Sequence, residues 1–289
     1  MASRIERVAE LAMKLGAEHL APYGCAKSRH DFTQRQLMAC LILKSYLKTS
    51  YRGLMDFLEG HGRLRSVLGL EEKMPHYTAV QKFSARKNVM AVAEAMIGRI
   101  GKAALRKLGT KGSAVAIDST GLELTGASAH YVSRSGQVRT KYLKASLAVV
   151  CGMLLPLGVV LDTGPNSDKC QAFELLDKSL GAAGPDLPAK LLADAGYDAD
   201  WIHEVCRGLW GVHSVIRPVV RRANGTLGGC YRPEMTAREL KRHGYSRRWH
   251  IESFISGLKR FCGPTLTART ERCRRHETII RILAYALHR

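Results

Sequence analysis

Residues 113–118 read Ser-Ala-Val-Ala-Ile-Asp, and this stretch decides the fold class. Its short apolar run and its flanks are typical of a buried β-strand, and the strand ends in Asp118. Residues 190–194, Lys-Leu-Leu-Ala-Asp, repeat the arrangement and end in Asp194. The sequence therefore predicts two buried strands, each followed at once by a carboxylate.

Two more strands are predicted between these aspartates. The stretch from Ala145 to Leu161 contains no charged residue, but Gly152 and Pro156 interrupt it. It is slightly short for a membrane span of ~20 residues. We predict strands near Tyr142–Val150 and Leu154–Leu161 with a tight turn at Gly152, and a membrane helix is the alternative.

Helical patterns follow these strands. Strands that alternate with helices after an initial meander predict a mixed α/β sheet with helices on its faces. The predicted helices are Lys169–Leu180, a helix capped by Asp198 and ending near Gly208, Ser246–Cys262 and Arg272–His288, and a further strand is Val212–Ile216.

Residues 1–108 have a different, helical pattern. Thr33-x-x-Gln36 is a capping box, and Ser50 can cap a helix over Tyr51–Glu59. We predict a small all-α module over residues 1–108 and a second domain over 109–289. Short helices with scattered basic residues favour a helix-turn-helix DNA-binding module, and a bundle without DNA contact is the alternative. The other helices predicted in this module are Leu64–Leu68, Tyr77–Lys87 and Val89–Leu108.

The net charge of +20 is unevenly distributed. Residues 1–105 carry 17 Lys and Arg against 9 Asp and Glu, residues 106–200 carry 10 against 10, and residues 201–289 carry 18 against 6. Such a surplus attracts polyanions. Nucleic acid is the first partner to expect and an anionic membrane surface the second, although simple patchiness of charge is the alternative.

The eight cysteines indicate the redox environment. None forms a CxxC pair, and the first residues contain no apolar signal segment. Isolated cysteines of this kind are typical of reduced thiols in a cytosolic protein. A metal site made of Cys262, Cys273, His276 and His250 is the alternative.

Four functional side chains fall on one edge of the helix predicted near residues 246–262. At about 100° per residue they lie within roughly 60° of each other around the axis. The alternative is a solvated face with an i,i+4 ion pair worth ~0.3 kcal/mol. The four residues are Tyr245, Arg248, Glu252 and Lys259.

The spacing Tyr-x2-Arg-x3-Glu-x6-Lys resembles the YREK signature of DDE-type insertion-sequence transposases. Asp118 and Asp194 match the first and second acidic residues of that family. The resemblance extends from Ser113 to the C-terminus. The loop Arg221–Arg232 is short, so the chain resembles members without a large inserted β-domain.

The resemblance implies an RNase H-like catalytic domain. It implies that Asp118, Asp194 and Glu252 bind two Mg²⁺ ions, for which Mn²⁺ can substitute. Such carboxylates suit a hard cation that prefers oxygen ligands. Two ions ~4 Å apart activate the attacking oxygen and stabilise the leaving one. Water attacks in the cutting step, and a DNA 3′-hydroxyl attacks in the joining step.

The resemblance also implies DNA contacts. Tyr245, Arg248 and Lys259 are expected to contact phosphates near the cut, and local pairing with Glu252 is their alternative role before DNA binds. Further arginines are expected to follow the DNA backbone and to add affinity without sequence choice. These are Arg221, Arg222, Arg247, Arg260, Arg272, Arg274 and Arg275.

Three residues near these motifs receive structural interpretations. Trp249 is expected to be a packed core aromatic, with stacking on a flipped base as the alternative. Asp198 is expected to cap a helix rather than to act as a fourth ligand. His250 is expected to be structural rather than a general base.

The predicted function is cut-and-paste DNA transposition. A dimer is expected to cut the terminal inverted repeats and insert the element into target DNA, within the bacterial cytoplasm at the nucleoid. A non-transposing nuclease of the same fold and a transposase-derived DNA-binding regulator are the alternatives. The three intact carboxylates argue against the regulator.

Overall fold

The computed structural model describes residues 2–27, 29–109, 111–124, 142–220 and 225–289. Two compact units are present. The helical unit contains Met1–Met96 and Arg260–Arg289, and the sheet unit contains Ile97–Lys259. Within the described ranges, no helix combines the length and the apolar character needed to cross a membrane.

The elements are numbered in chain order. The helices are α1 (Arg4–His19), α2 (Gln34–Tyr46), α3 (Tyr51–Glu59), α4 (Gly62–Leu68), α5 (Tyr77–Ser84), α6 (Asn88–Leu108), α7 (Lys169–Ala183), α8 (Asp200–Glu204), α9 (Ala237–Arg242), α10 (Trp249–Cys262) and α11 (Glu271–His288). The strands are β1 (Ala114–Leu124), β2 (Tyr142–Val150), β3 (Leu155–Gly164), β4 (Lys190–Ala193), β5 (His213–Ile216) and β6 (Thr265–Leu266).

Side-chain caps start α1, α2, α3 and α11 of the helical unit. The capping box at Thr33 and Gln36 is confirmed, and Ser50 caps α3 as predicted. Gln36 also donates from Nε2 to the carbonyls of Leu68 and Gly69, at 3.0 and 2.8 Å. One side chain therefore caps the start of α2 and binds the end of α4.

The C-terminal helix α11 packs against α1 and α2. Its buried Ile279 and Leu283 explain why compactness groups it with the N-terminal helices. This grouping differs from the boundary that the sequence predicts after residue 108. A domain boundary predicted from sequence divides the chain into consecutive segments, whereas a compact unit can combine segments that are distant in sequence but packed together.

The sheet unit is built on a mixed sheet in the order β3-β2-β1-β4-β5. Strands β1, β2 and β3 pair antiparallel, whereas β1, β4 and β5 pair parallel. The predicted mixed α/β class is confirmed, and the topology is consistent with the RNase H-like fold that the resemblance implies. The two strands expected around Gly152 are also confirmed.

Helix α7 covers one face of this sheet. Its Leu175 and Leu176 belong to one buried cluster with Val115, Ile117 and Leu191 of the strands. Close approach is possible because Gly158 in β3 lies against Ser179, where a Cβ would be 2.8 Å from the serine Cβ. The strand ends that carry the aspartates are thereby held on a rigid core.

Several predicted bounds differ from the observed ones. Strand β1 runs on to Leu124, because its pairing with β2 continues as far as Leu122. The helix predicted from Ser246 begins at Trp249, after a 3₁₀ turn over Tyr245–Arg248. Helix α9 was not predicted, and it lies in the stretch that the sequence analysis assigned to a loop.

Candidate active site

The two predicted aspartates lie just past the end of the parallel ladder that joins β1 to β4. The parallel ladder between β1 and β4 pairs Ile117 with Ala193, and Asp118 and Asp194 come next on their strands. Because parallel strands present equivalent ends at the same edge of a sheet, this register places the two carboxylates side by side. The structure therefore brings together two of the three predicted site carboxylates.

Asp118 occupies a half-buried position, with 21% of its side chain exposed. The backbone N–H of Ser119 donates to its Oδ1 at 2.8 Å. Burial raises the pKa of Asp118 to about 6, and the charge of Asp194 adds to the rise, whereas the Ser119 N–H and Arg248 oppose it. A carboxyl with such a pKa exchanges a proton readily for a cation near neutral pH.

Asp194 starts the 3₁₀ turn Ala195–Tyr197. Its Oδ1 accepts from the backbone N–H of Gly196 at 2.9 Å. A Cβ on Gly196 would lie 2.9 Å from Oδ2 of Asp168 and 3.0 Å from Oδ1 of Asp194. Glycine is therefore needed here because two carboxylate oxygens approach the turn.

Arg248 links the first and third predicted carboxylates. Its guanidinium lies 3.4 Å from Oδ2 of Asp118 and in closer contact with Oε1 of Glu252. Glu252 itself has 53% of its side chain exposed. Tyr245 is half-buried in the preceding turn, and burial raises the pKa of its hydroxyl while the Arg248 charge opposes that rise.

The donor set suits a hard divalent cation. Asp118, Asp194 and Glu252 offer only carboxylate oxygens, which are the ligands that Mg²⁺ prefers. Among the described residues, no three His, Cys, Asp or Glu side chains lie close enough together to hold a metal ion. Glu252 is paired with Arg248, whose guanidinium occupies a carboxylate oxygen that a cation would need.

A chain of hydroxyl groups beside Asp118 was not predicted. The Ser119 Oγ lies 2.8 Å from the Ser146 Oγ and 2.9 Å from the Tyr197 hydroxyl. Tyr197 is fully buried. The motif Ala193-Asp-Ala-Gly-Tyr-Asp198 contains Tyr197, but only the fold brings that tyrosine to Ser119.

A buried ion pair beside Asp194 was also missed. Lys144 is 3% exposed, and its Nζ lies 2.7 Å from Oδ1 of Asp168 and donates to the Asn166 carbonyl at 2.8 Å. The charge of Asp168 contributes to the raised pKa of Asp118. No local pattern distinguishes Lys144 from other strand residues, so sequence reasoning had no signal for it.

The outer basic residues are found in several settings. Arg247 donates to the Gly112 carbonyl at 3.0 Å, and Lys259 is half-buried on α10. Arg260 is exposed and belongs to the helical unit, as do Arg272, Arg274 and Arg275. The predicted DNA contacts Arg221 and Arg222 lie outside the described residues.

Two structural expectations are wrong. Trp249 is 53% exposed and stacks on His250 at 4.1 Å between ring centroids, whereas Ile251 in the same turn of α10 is fully buried. Asp198 caps no helix: its carboxylate is buried against Arg232 at 2.7 and 2.6 Å, and α8 starts without a side-chain cap. His250 has a structural contact, its Nδ1 lying 2.7 Å from the Arg247 carbonyl oxygen.

Comparison with known families gives one match. A family model described as "Transposase DDE domain" matches residues 109–287, which is more than half of the chain. No curated protein and no solved structure matches the chain.

Proposed function

Because the chain belongs to the transposase DDE domain family, we propose that it cuts DNA at the ends of a mobile element and joins those ends to target DNA. Membership assigns a transposase-type function, DNA as a partner and the divalent-metal dependence general in the family. The observation that carries the finer proposal is the placement of Asp118 beside Asp194, with Arg248 joining Asp118 to Glu252.

The three carboxylates divide the metal-binding role. Asp118 lies within β1 and Asp194 directly follows β4, whereas Glu252 projects from the first turn of α10. Together they would hold two Mg²⁺ or Mn²⁺ ions. When bound, such ions activate the attacking oxygen and stabilise the leaving oxygen of the DNA phosphodiester.

A DNA phosphate would draw the guanidinium of Arg248 away from the carboxylates that it contacts. Its guanidinium contacts both Asp118 and Glu252 and offsets part of their negative charge. A phosphate offers the same fork of donors a two-pronged partner. Transfer of Arg248 to phosphate would free both carboxylates for the metal, so substrate binding and completion of the site would occur together.

The surrounding basic residues would hold the DNA. We assign phosphate contacts near the cut to Tyr245 and Lys259, in line with the YREK pattern. Exposed Trp249, next to Arg248, would stack on a displaced base. Backbone contacts further along the duplex are assigned to Arg221, Arg222, Arg247 and Arg260.

The whole-protein organisation remains part of the proposal. Residues 1–108 would form a DNA-binding module and residues 109–289 the RNase H-like catalytic domain. Two chains would act together, because both element ends must be cut in one event. This cut-and-paste reaction would take place at the bacterial nucleoid.

The test uses DNA carrying the gene's own flanking ends, with Mg²⁺. We expect the wild type to cut at the element boundary and Glu252→Gln to bind this DNA without cutting it, because the amide removes a charge that the metals need. The matched control is Glu174→Gln, which removes another exposed helical glutamate with an i,i+4 basic partner.

Three outcomes would change the proposal. Cleavage by Glu252→Gln at the wild-type rate would remove Glu252 from the site. Binding without cleavage by both proteins would favour the DNA-binding regulator. Cleavage without joining of the ends to target DNA would favour the non-transposing nuclease.

A further inference from the structure

We propose that Tyr197 and Ser119 are positioning residues, which hold Asp118 and Asp194 in the arrangement that metal binding requires. This inference rests on the proposed function. The Ser119 Oγ lies 2.9 Å from the Tyr197 hydroxyl. Each partner also contacts its own aspartate: Ser119 N–H donates to Asp118 Oδ1 at 2.8 Å, and Tyr197 N–H donates to the Asp194 carbonyl at 3.2 Å.

The Ser119–Tyr197 hydroxyl contact lies just beyond the point where backbone pairing between β1 and β4 ends. The ladder between β1 and β4 ends at the pair Ile117 and Ala193, one residue before the two aspartates. Beyond that pair, β1 continues along β2, while the chain after β4 turns into the 3₁₀ turn Ala195–Tyr197. The bond from Ser119 to Tyr197 therefore joins the two diverging segments just past their carboxylates.

Both partners are held firmly. Tyr197 is fully buried in the core cluster that includes Ile117 and Ala193. Ser119 is anchored from the other side by Ser146 of β2, whose Oγ lies 2.8 Å away. We call the hydrogen bond between the Ser119 and Tyr197 hydroxyls the tie. It connects the core of the sheet to the turn that follows Asp194, and neither of its partners is a mobile surface group.

The hydrogen bond between Ser119 and Tyr197 opposes repulsion between the neighbouring carboxylates in the metal-free protein. Oδ2 of Asp168 and Oδ1 of Asp194 approach the same turn at Gly196, and Asp118 lies beside Asp194, so these carboxylates repel each other when all are charged. Repulsion favours separation of the strand ends. Partners that orient metal ligands typically affect metal affinity or activity 10–100-fold when they are removed.

The experiment measures Mn²⁺ binding by the full-length chain in complex with a non-cleavable DNA, using electron paramagnetic resonance with that DNA alone as the reference, and single-turnover cleavage with cleavable DNA. Tyr197→Phe keeps the ring and removes the hydroxyl, and Ser119→Ala removes the other partner. We expect each to weaken Mn²⁺ binding about 10-fold or more. The cleavage rate constant should fall, while the DNA concentration for half-maximal rate stays unchanged.

The double variant and two controls separate positioning from a general loss of packing. The double variant should be no weaker than the poorer single variant, because either change already breaks the bond. Ser119→Thr keeps a hydroxyl and should retain Mn²⁺ affinity. Ser179→Ala removes a buried hydroxyl bonded inside α7 and should not change that affinity.

The outcomes distinguish the tie from the function on which it rests. A wild type that cuts DNA, with Tyr197→Phe and Ser119→Ala equal to it in Mn²⁺ affinity and rate, would overturn the tie alone. A wild type that neither binds Mn²⁺ nor cuts would overturn the proposed function and the tie with it. Should Tyr197→Phe fail to fold in a thermal melt, Ser119→Ala and Ser119→Thr test the same bond from the strand.

Discussion

At the scale of single residues, the proposed metal ligand Asp118 carries an electrostatic cost in the metal-free protein. Its carboxylate is largely buried and stands beside Asp194, and both features disfavour its charged form. The guanidinium of Arg248 compensates only in part, because the pKa of Asp118 still rises to about 6. Groups held in an unfavourable charge state are common where a ligand is meant to relieve it.

We therefore expect Asp118→Asn to stabilise the metal-free protein while it abolishes cleavage. The folded-state pKa lies above the unfolded value, so the stability cost of the charged aspartate grows as the pH rises from about 4 and is complete above about 6. The gain should be on the order of 1–3 kcal/mol at pH 8. It should shrink as the pH falls from 6 towards 4, where the native carboxyl is protonated.

Thermal unfolding in EDTA across this pH range measures the effect. An Asp118→Asn protein that melts below the wild type at pH 8 would contradict it. Asp186→Asn is the control, because that aspartate is paired with Arg106 at the surface and contacts none of the site carboxylates in the ion pairs of the described residues.

At the scale of elements, one buried ion pair joins the segment that follows β5 to the segment that follows β4. Asp198, whose side chain is fully buried, accepts two bonds from Arg232, at 2.7 and 2.6 Å, and one from the Val219 N–H at 2.8 Å. Nearby Asp200 accepts from the backbone N–H groups of Cys230, Tyr231 and Arg232. The segment after β5 is thus fastened at both ends to the turn that follows Asp194.

Arg232→Met should destabilise the sheet unit by about 3–5 kcal/mol, because it leaves the buried Asp198 carboxylate without its charged partner. Chemical denaturation of the full chain measures this loss. Arg242→Met is the matched control: Arg242 is exposed and pairs with Glu239, so about 0–1 kcal/mol is expected. Equal effects of the two changes would refute the special role of the buried pair.

At the scale of the whole molecule, the basic residues that would bind DNA and the aspartates that would take part in cutting it lie in different parts of the sequence. The surplus of +20 comes from the two flanks of the chain, while residues 106–200, which contain Asp118 and Asp194, are neutral overall. Basic side chains bind phosphates by releasing counterions. Carboxylates at the centre instead attract the cations that the reaction needs.

DNA binding should therefore persist in EDTA and weaken steeply with salt, whereas cleavage should require Mg²⁺. Lys259→Gln should weaken binding to all DNA sequences and lower the slope of log affinity against log salt by about one, which is the effect of one lost phosphate contact. Lys178→Gln, on α7, is the control with the same charge change. Fluorescence anisotropy across a salt series measures both slopes, and an unchanged slope for Lys259→Gln would remove this residue from the interface.

Local signals in the sequence determined much of the fold. The apolar runs before Asp118 and Asp194 specify β1 and β4, β2 follows from the uncharged run that Gly152 interrupts, and the start of α3 follows from the Ser50 cap. These features depend on residues within a few positions of each other, so their physics is visible along the chain. The catalytic roles of Asp118, Asp194 and Glu252 remain predictions.

Only the tertiary structure decided the contacts between distant segments. It placed Trp249 in solvent, paired Asp198 with Arg232, buried Lys144 against Asp168 and packed α11 with the N-terminal helices. It also joined Ser119 to Tyr197 across 78 positions. Such bonds form when the whole core closes and the gain from burial exceeds the entropy of bringing remote segments together, a balance that no local pattern records.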